Sequence, residues 1–311
     1  MLIDRRKLLA LGSIGFGALN LAPRALAAEA PPPGRATTRL RVMTYNIRLD
    51  TEADGPNKWA HRRTEVAAQI DWFRPDIFGL QEVVFNQKQD MIADLPEYRL
   101  IGAGRDDGRD AGESSPIGYR AALFDVLGSG TFWLSPTPDR PSKGWDAAYP
   151  RVATWVRLRT RRGSKTLLVI NTHWDHIGLE ARRQSGRMLS RWLSGNRRKG
   201  DHIVMLGDFN SGIGSDGMRA LIDGGTAFGL RDSRLASQSK PFGPAGTFNG
   251  FKLQPEPGET IDHILVGRNV AVARYAVIAQ NVDGRMLSDH YPVLADLEIS
   301  PDSRQSAFPP K

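Results

Sequence analysis

Residues 202–210 read HIVMLGDFN, a short apolar run that stops abruptly at Gly207, Asp208 and Asn210. Three other runs share this design: 40–46 (LRVMTYN), 76–82 (DIFGLQE) and 166–173 (TLLVINTH). Short apolar runs rich in β-branched residues and bounded by polar ones are typical of buried β-strands. The pattern therefore predicts four strands, each of which delivers polar side chains at its C-terminal end.

Helical periodicity separates some of these strands, at 59–73, 86–95 and 179–193, whereas the runs 118–127, 131–134 and 153–159 follow one another directly. Strands separated by helices tend to pair in parallel, and strands joined by short turns pair antiparallel. We therefore predict an α/β protein with a mixed sheet, or two packed sheets, and helices outside. The chain has 311 residues, 40% of them hydrophobic, which is enough for one large domain.

Two further strands are predicted to begin with polar residues rather than end with them. Asp262 precedes the apolar residues 264–266, and Asp289 and His290 precede the run 292–297. If these strands run antiparallel to the first four, all the polar groups meet at one edge, where α/β folds bind ligands. The predicted cluster contains four carboxylates, two amides and two imidazoles: Glu82, Asp208, Asp262, Asp289, Asn46, Asn210, His173 and His290.

Such a cluster contains the groups that phosphoryl transfer requires. Carboxylate and amide oxygens suit a hard divalent cation, so we predict binding of Mg²⁺ or Mn²⁺. Imidazoles can donate hydrogen bonds to a phosphoryl oxygen, and an aspartate can orient or deprotonate water. Each residue alone also has a bland explanation as a cap, turn or surface group. The chain has no cysteine, which excludes thiol catalysis and thiolate-bound metals.

Six short motifs are distributed along residues 39–299. They are 43–48 (MTYNIR), 79–83 (GLQEV), 171–176 (NTHWDH), 207–210 (GDFN), 261–264 (IDHI) and 288–292 (SDHYP). Together and in this order they resemble the endonuclease/exonuclease/phosphatase superfamily, which includes DNase I-like nucleases, inositol polyphosphate 5-phosphatases, bacterial sphingomyelinases and deadenylases. The segments 130–135, 144–151 and 246–251 are similar to a bacterial subgroup near the deadenylase-like branch.

The resemblance implies a four-layer α/β sandwich of two mixed β-sheets flanked by helices. It also implies divalent-metal-dependent hydrolysis of phosphoric esters. By this resemblance Asn46, Glu82 and Asp289 form the metal site, with Glu82 as a direct ligand. Asp208, helped by Asn210, orients or activates the attacking water.

The same resemblance gives roles to the histidines. His290 contacts the phosphate in the transition state and is oriented by Asp262, while His173 contacts phosphate or assists the leaving group. Arg151 and His176 are candidate contacts to substrate phosphate, because Arg guanidinium groups fit phosphate oxygens. The alternatives are a surface salt bridge for Arg151 and a purely structural loop position for His176.

The substrate stays open at this level. The lead prediction is nuclease-like hydrolysis of phosphodiesters, because one metal, two histidines and Arg151 suit a single negative charge and a basic chain, with a net charge of +8, attracts nucleic acid. One alternative is a phosphatase or phosphodiesterase acting on a phosphoinositide, sphingomyelin or a small phosphorylated metabolite, with Arg105, Arg109, Arg140 and Lys143 as loop cations. Another is a non-catalytic protein that binds phosphate ligands. No obligate protein partner is expected.

The N-terminus is typical of an export signal. Residues 5–7 are basic, 8–21 are apolar or small, and 25–27 (ALA) match the pattern that signal peptidase cleaves. The apolar stretch is shorter than the ~20 residues of a membrane span, so no stable membrane anchor is expected. We predict a signal peptide at 1–27, a Pro-rich linker at 28–38, the domain at 39–300 and a flexible tail at 301–311.

The paired residues Arg5 and Arg6 favour the twin-arginine route, and thus a periplasmic or secreted protein. We expect mass spectrometry of the exported protein to place its first residue after Ala27 or Ala28. An intact Met1 would instead indicate an uncleaved anchor. Replacement of both arginines by lysine should block export, and undisturbed export would indicate the Sec route.

Overall fold

The computed structural model describes residues 37–224 and 228–300. The predicted signal peptide 1–27, most of the linker 28–38 and the tail 301–311 lie outside the described residues. Among the described residues, no helix has the length and apolar character needed to cross a membrane.

The strands, numbered along the chain, form two six-stranded sheets and a small hairpin. The first sheet has the order β11 (Ala271–Val277), β14 (Val293–Ile299), β1 (Thr38–Asn46), β2 (Ile77–Gln81), β4 (Ile117–Arg120) and β3 (Tyr98–Ile101). The second has the order β5 (Phe124–Trp133), β6 (Val152–Thr160), β7 (Thr166–His173), β8 (His202–Asp208), β10 (Asp262–Val266) and β9 (Arg231–Asp232). The hairpin pairs β12 (Asn281–Val282) with β13 (Arg285–Met286).

Both sheets are mixed and share one pairing pattern. A central parallel pair, β1–β2 in the first sheet and β7–β8 in the second, is flanked on both sides by antiparallel strands. The α-helices are α1 (Arg63–Phe73), α2 (Phe85–Asp94), α3 (Leu179–Asn196), α4 (Asp216–Gly224) and α5 (Ser233–Ala236). Short 3-10 helices span Glu52–Asn57 and Trp59–His61.

Alternation along the strands builds four layers, because successive side chains point to opposite faces of a sheet. Val42 of β1 packs between the sheets with Val169 of β7, whereas the next residue, Met43, packs outward with Ile70 of α1. On the far side, Met205 of β8 packs with residues of α3 and α4. Both faces of each sheet are therefore covered, which confirms the predicted sandwich of two mixed sheets flanked by helices.

Two predicted elements differ in detail. The predicted strand 118–127 is two strands, because the chain turns after β4, where the Leu123 N–H donates to the Arg120 carbonyl at 3.0 Å. The following strand β5 then continues unbroken to Trp133, with an irregular register between Val126 and Gly128. The predicted helix 59–73 begins as the 3-10 turn Trp59–His61 and becomes α-helical at Arg63.

The strand directions bring the polar ends together as predicted. β10 runs antiparallel to β8, with Asp262 opposite Asp208. β14 runs antiparallel to β1, so the residues just before Val293 lie beside the end of β1. The polar side chains of both sheets therefore gather at one edge of the sandwich.

Buried amide groups connect the two sheets just below this edge. The Gln81 Nε2 group donates to the Thr44 hydroxyl at 3.0 Å and to the Asn171 side-chain oxygen at 2.6 Å. Asn171, on β7, donates in turn to the backbone carbonyl groups of Leu80 and Pro116 at 2.8 and 2.9 Å. Because buried polar groups are costly when unpaired, this network fixes how the sheets sit against each other.

Candidate active site

A pocket of about 700 Å³ opens at the edge where the polar strand ends meet. Two predicted site residues, Asn46 and Asp262, lie behind the lining and bond to residues that form it. The structure thus brings all ten predicted residues into one site. The other eight line the pocket: Glu82, Arg151, His173, His176, Asp208, Asn210, Asp289 and His290.

Asn46 joins the two sheets behind the pocket. Its amide nitrogen donates to Oε1 of Glu82 and to Oδ2 of Asp208, both at 3.0 Å. Its side-chain oxygen accepts the backbone N–H of Arg48 at 3.0 Å. In this arrangement the Asn46 amide nitrogen orients both carboxylates, and its oxygen keeps a second lone pair beside them.

Glu82 and Asp289 form an oxygen-rich pair on the lining. Oε2 of Glu82 accepts the backbone N–H of Leu49 at 3.1 Å, which directs the carboxylate into the pocket. Burial raises the pKa of Asp289 above its ordinary value, and the charge of Glu82 adds to the rise, although His290 opposes it. Two neighbouring carboxylates suit a hard divalent cation, which would offset both charges.

A second group of residues, Asp208, Asp262 and His290, has potential metal-ligand atoms that lie within 4.8 Å of one another. Nδ1 of His290 is 2.8 Å from Oδ2 of Asp262, and its Nε2 is 3.6 Å from Oδ2 of Asp208. Burial lowers the pKa of His290, but Asp262 and Asp208 outweigh it and hold that pKa well above 6.5. Because Asp262 already engages Nδ1 of His290, this group serves to orient the imidazole, and we take the Glu82–Asp289 pair as the place for a cation.

His173 and His290, two of the three histidines that line the pocket, differ in charge state. Burial and the nearby Arg151 cation hold the pKa of His173 well below 6.5, so His173 is neutral where His290 is charged. Burial and the charge of Asp262 together raise the pKa of Asp208 to about 7. The Asp208 Oδ1 atom accepts the backbone N–H of Asn210 at 2.8 Å. Such divergent environments are how one site provides both an acid and a base.

Arg151 lies in the interior, where only 5% of its surface is exposed. Its Nε atom is 3.3 Å from Oδ2 of Asp175, so its ion pair is buried rather than at the surface. Its two terminal nitrogens contact Nδ1 of His173 at 3.1 Å and Nδ1 of His176 at 3.0 Å. The two candidate phosphate contacts are therefore bonded to each other.

Other lining residues had no role in the sequence prediction or were only named among loop cations. Arg105 is 2.7 Å from Oε1 of Glu113, and its guanidinium lies 4.9 Å above the ring of Tyr149. Tyr149 in turn stacks on His176. The sequence signal that could have revealed Tyr149 is its position two residues before Arg151. The lining residues without a predicted role at the site are Arg48, Arg105, Glu113, Tyr149 and Phe248.

The chain matches the Endonuclease/Exonuclease/phosphatase family over residues 43–290. Its fold is similar to that of a family protein from Bacteroides thetaiotaomicron, with 34% identity and a TM-score of 0.82, covering 88% of this chain and 100% of that one. A family protein from Bacteroides vulgatus is 40% identical, with a TM-score of 0.78 and coverage of 85% and 100%.

A mannosyl-6-phosphatase from Bacteroides thetaiotaomicron VPI-5482 is 36% identical, with a TM-score of 0.78 and coverage of 83% of this chain and 99% of that chain. The chain therefore belongs to the endonuclease/exonuclease/phosphatase family, as its motifs indicated, and this family consists of hydrolases that act on phosphoester bonds.

The chain offers a matched test of the Asp262–His290 pair. A second buried pair, Asp232 and His263, has a contact of 2.7 Å but lies outside the pocket lining. We expect Asp262→Asn to lower kcat by about 100-fold or more, because a neutral amide no longer holds a proton on His290. Asp232→Asn should lower stability but retain kcat. Equal losses of kcat in the two folded variants, measured on an aryl phosphate, would contradict this assignment.

Proposed function

We propose that the protein is a divalent-metal-dependent phosphomonoesterase that acts on a small, ring-bearing phosphate ester. The observation that carries the proposal is the presence on the pocket lining of two further guanidinium groups, those of Arg48 and Arg105, besides that of Arg151, whose hydrogen bonds are made to protein groups. A monoester dianion concentrates negative charge and is held best by several cations. Arg48 and Arg105 add to the metal, the two histidines and Arg151, the set that favoured a diester from sequence.

Arg48 and Arg105 are held rigidly by neighbouring acids. Nε and Nη2 of Arg48 each bond to the carboxylate of Asp54 at 2.9 Å, while Nη1 remains 3.7 Å from Oε2 of Glu82. Arg105 is fixed between Glu113 and the face of Tyr149. Cations that are ordered before the substrate arrives lose little entropy on binding, which favours recognition of phosphate.

The size and rims of the pocket favour a small molecule. Its volume of about 700 Å³ lies in the usual range of small-molecule sites, roughly 300–1,000 Å³. Half-exposed Tyr149 and Phe248 both line it and offer flat faces for a ring. The similarity to a mannosyl-6-phosphatase supports a phosphorylated sugar as the substrate class.

The residues divide the chemistry among them. A divalent cation held by Glu82 and Asp289 would offset the charge of the phosphate. Asp208 accepts a proton from a water molecule whose oxygen attacks phosphorus, and the bond from phosphorus to the ester oxygen breaks. The products are inorganic phosphate and an alcohol, whose oxygen takes a proton from solvent. His290, charged and oriented by Asp262, donates to a phosphoryl oxygen as negative charge develops there.

Metal removal is the first test. We expect chelator to abolish hydrolysis of p-nitrophenyl phosphate and added Mg²⁺ or Mn²⁺ to restore it, because a cation held by these carboxylates would offset the charge of the phosphate. Glu82→Gln should lose most activity and bind Mn²⁺ weakly in calorimetry, whereas Glu65→Gln, a partly exposed glutamate of α1 paired with Arg285, should behave as wild type. Full activity in chelator would refute the metal site. Metal and phosphate binding without turnover would favour the non-catalytic alternative.

The kind of ester is tested by the ratio of kcat/KM values. We expect mannose 6-phosphate and p-nitrophenyl phosphate to be hydrolysed better than bis-p-nitrophenyl phosphate or a short oligonucleotide. Arg105→Gln should reduce this preference by about tenfold, the value of one weakened charge-assisted hydrogen bond. Arg109→Gln, an exposed neighbour that does not line the pocket, should not. A preference for the diesters would restore the nuclease-like function.

A further inference from the structure

Arg151 makes its contacts with protein groups rather than pointing a free edge at the substrate. The Nε, Nη1 and Nη2 atoms contact Asp175, His173 and His176 respectively. We infer that Arg151 is a positioning residue that fixes the ring tautomer of both His173 and His176, so that each presents an Nε2–H group to the phosphate ester. This inference rests on the proposed phosphoesterase function and adds a role to its site.

The tautomer follows from the chemistry of the guanidinium group. Its nitrogens carry hydrogens and cannot accept a hydrogen bond, and it stays charged in proteins. The Nδ1 atoms of His173 and His176, at 3.1 and 3.0 Å from Arg151, must therefore be the acceptors. The proton of each neutral ring is then on Nε2.

Asp175 holds Arg151 in this orientation. Its Oδ1 atom accepts the backbone N–H groups of Ile177 and Gly178 at 3.0 and 2.7 Å, and its Oδ2 accepts that of Ala148 at 3.0 Å. Burial alone would raise the pKa of Asp175, but these hydrogen bonds and Arg151 lower it to about 2. Asp175 is therefore ionised under ordinary conditions, and it anchors both Arg151 and the backbone that flanks Tyr149 and His176.

Neither of the polar side chains beside Nε2 of His173, those of Asp208 and Asn210, accepts a good hydrogen bond from it. Oδ2 of Asp208 lies 3.6 Å away, which is too far for a good hydrogen bond. The Asn210 amide nitrogen is 3.1 Å away, but it is itself a donor and already bonds to the Trp174 carbonyl at 3.0 Å. A neutral ring can accept from only one of its two donors, Asn210 and Arg151, and the charged guanidinium of Arg151 is the stronger donor, so Nδ1 is the acceptor and the Nε2–H group can donate to a substrate oxygen.

His176 presents its ring in a fixed plane. The ring stacks on Tyr149 with a centroid distance of 6.1 Å and an angle of 15° between the planes. With Nδ1 bonded to Arg151 and one face covered, Nε2 is the polar atom of His176 that remains free to meet a substrate. Arg151 therefore couples the two histidines that line one wall of the pocket.

Nuclear magnetic resonance tests the tautomers without any turnover. The chain has six histidines, so ¹⁵N-histidine labelling and two-bond ¹H–¹⁵N correlation give a tractable spectrum. At a pH above the usual histidine pKa, we expect His173 and His176 in the wild-type protein to be wholly in the Nε2–H form. Arg151→Ala should introduce the Nδ1–H form at both positions. An Nδ1–H tautomer at either ring in the wild type would overturn the inference, even if the protein is an active phosphoesterase.

Kinetics separate positioning from charge. We expect Arg151→Ala to lower kcat by about 100-fold, the usual worth of a positioned proton donor, with a smaller effect on KM. Guanidinium ions at non-denaturing concentration should restore part of kcat. Arg151→Lys should remain impaired, because one ammonium group cannot make three fixed contacts. Wild-type kcat in Arg151→Lys would show that charge alone suffices and would overturn the positioning role.

Arg157 provides the matched control for these variants. It lies on β6, is equally buried, and bonds to Asp201 at 3.2 Å and to the Asn196 carbonyl at 2.7 Å, away from the pocket. Arg157→Ala should lower the free energy of unfolding but leave kcat near that of the wild type and insensitive to guanidinium. An equal loss of kcat in the folded Arg157→Ala protein would mean that loss of a buried arginine, rather than loss of tautomer control, explains the effect.

Discussion

The hydrogen bonds among Thr44, Gln81 and Asn171 are the constraint on which the site depends. At this end of the sandwich, polar side chains rather than apolar ones fill the space between the sheets. Leaving one of these buried groups without its partner would lower the free energy of unfolding by about 1–3 kcal/mol. Gly79 makes room for this layer, because a Cβ atom there would lie 2.6 Å from the Asn171 side chain. The layer fixes the spacing across which Asn46 bonds to Asp208, and so places carboxylates from one sheet against histidines from the other.

Buried Arg62 connects the loops of the site by hydrogen bonds, as the amide groups connect the sheets. It donates to the carbonyl groups of Arg48 at 2.8 Å and Leu287 at 3.1 Å, so it joins the loop after β1 to the segment before β14. Ser288 adds a bond to the Asn46 carbonyl at 2.7 Å. The metal-site candidates are therefore held by backbone contacts that exist before any ligand arrives. This preorganisation explains how charged residues stay close together in a site that is largely buried.

The sequence predicted the strands and their polar ends because both signals are local. A short apolar run indicates a strand, and a polar residue such as Asp208 at its end indicates the edge of the sheet. Both signals depend only on neighbouring residues in the sequence. The strand 118–127 was wrong because the turn before Phe124 has no glycine or proline to reveal it. Tyr149, Phe248 and Glu113 were missed because loop packing, which brings them to the pocket, depends on residues far along the chain. Arg151 was found, but its partners were visible only in three dimensions.

Two groups of side chains are candidates for holding the proposed cation, and locating the ion distinguishes them. The hydrogen bond between His290 and Asp262 engages two members of one group, so we assign the cation to Glu82 and Asp289, which leaves Asp208, Asp262 and His290 for the proposed attacking water and the phosphate. The direct measurement is the anomalous scattering of Mn²⁺ in crystals of the folded domain. We expect an anomalous difference peak for Mn²⁺ next to the carboxylates of Glu82 and Asp289. A peak coordinated by Asp208, Asp262 and Nε2 of His290, with none at Glu82, would contradict it.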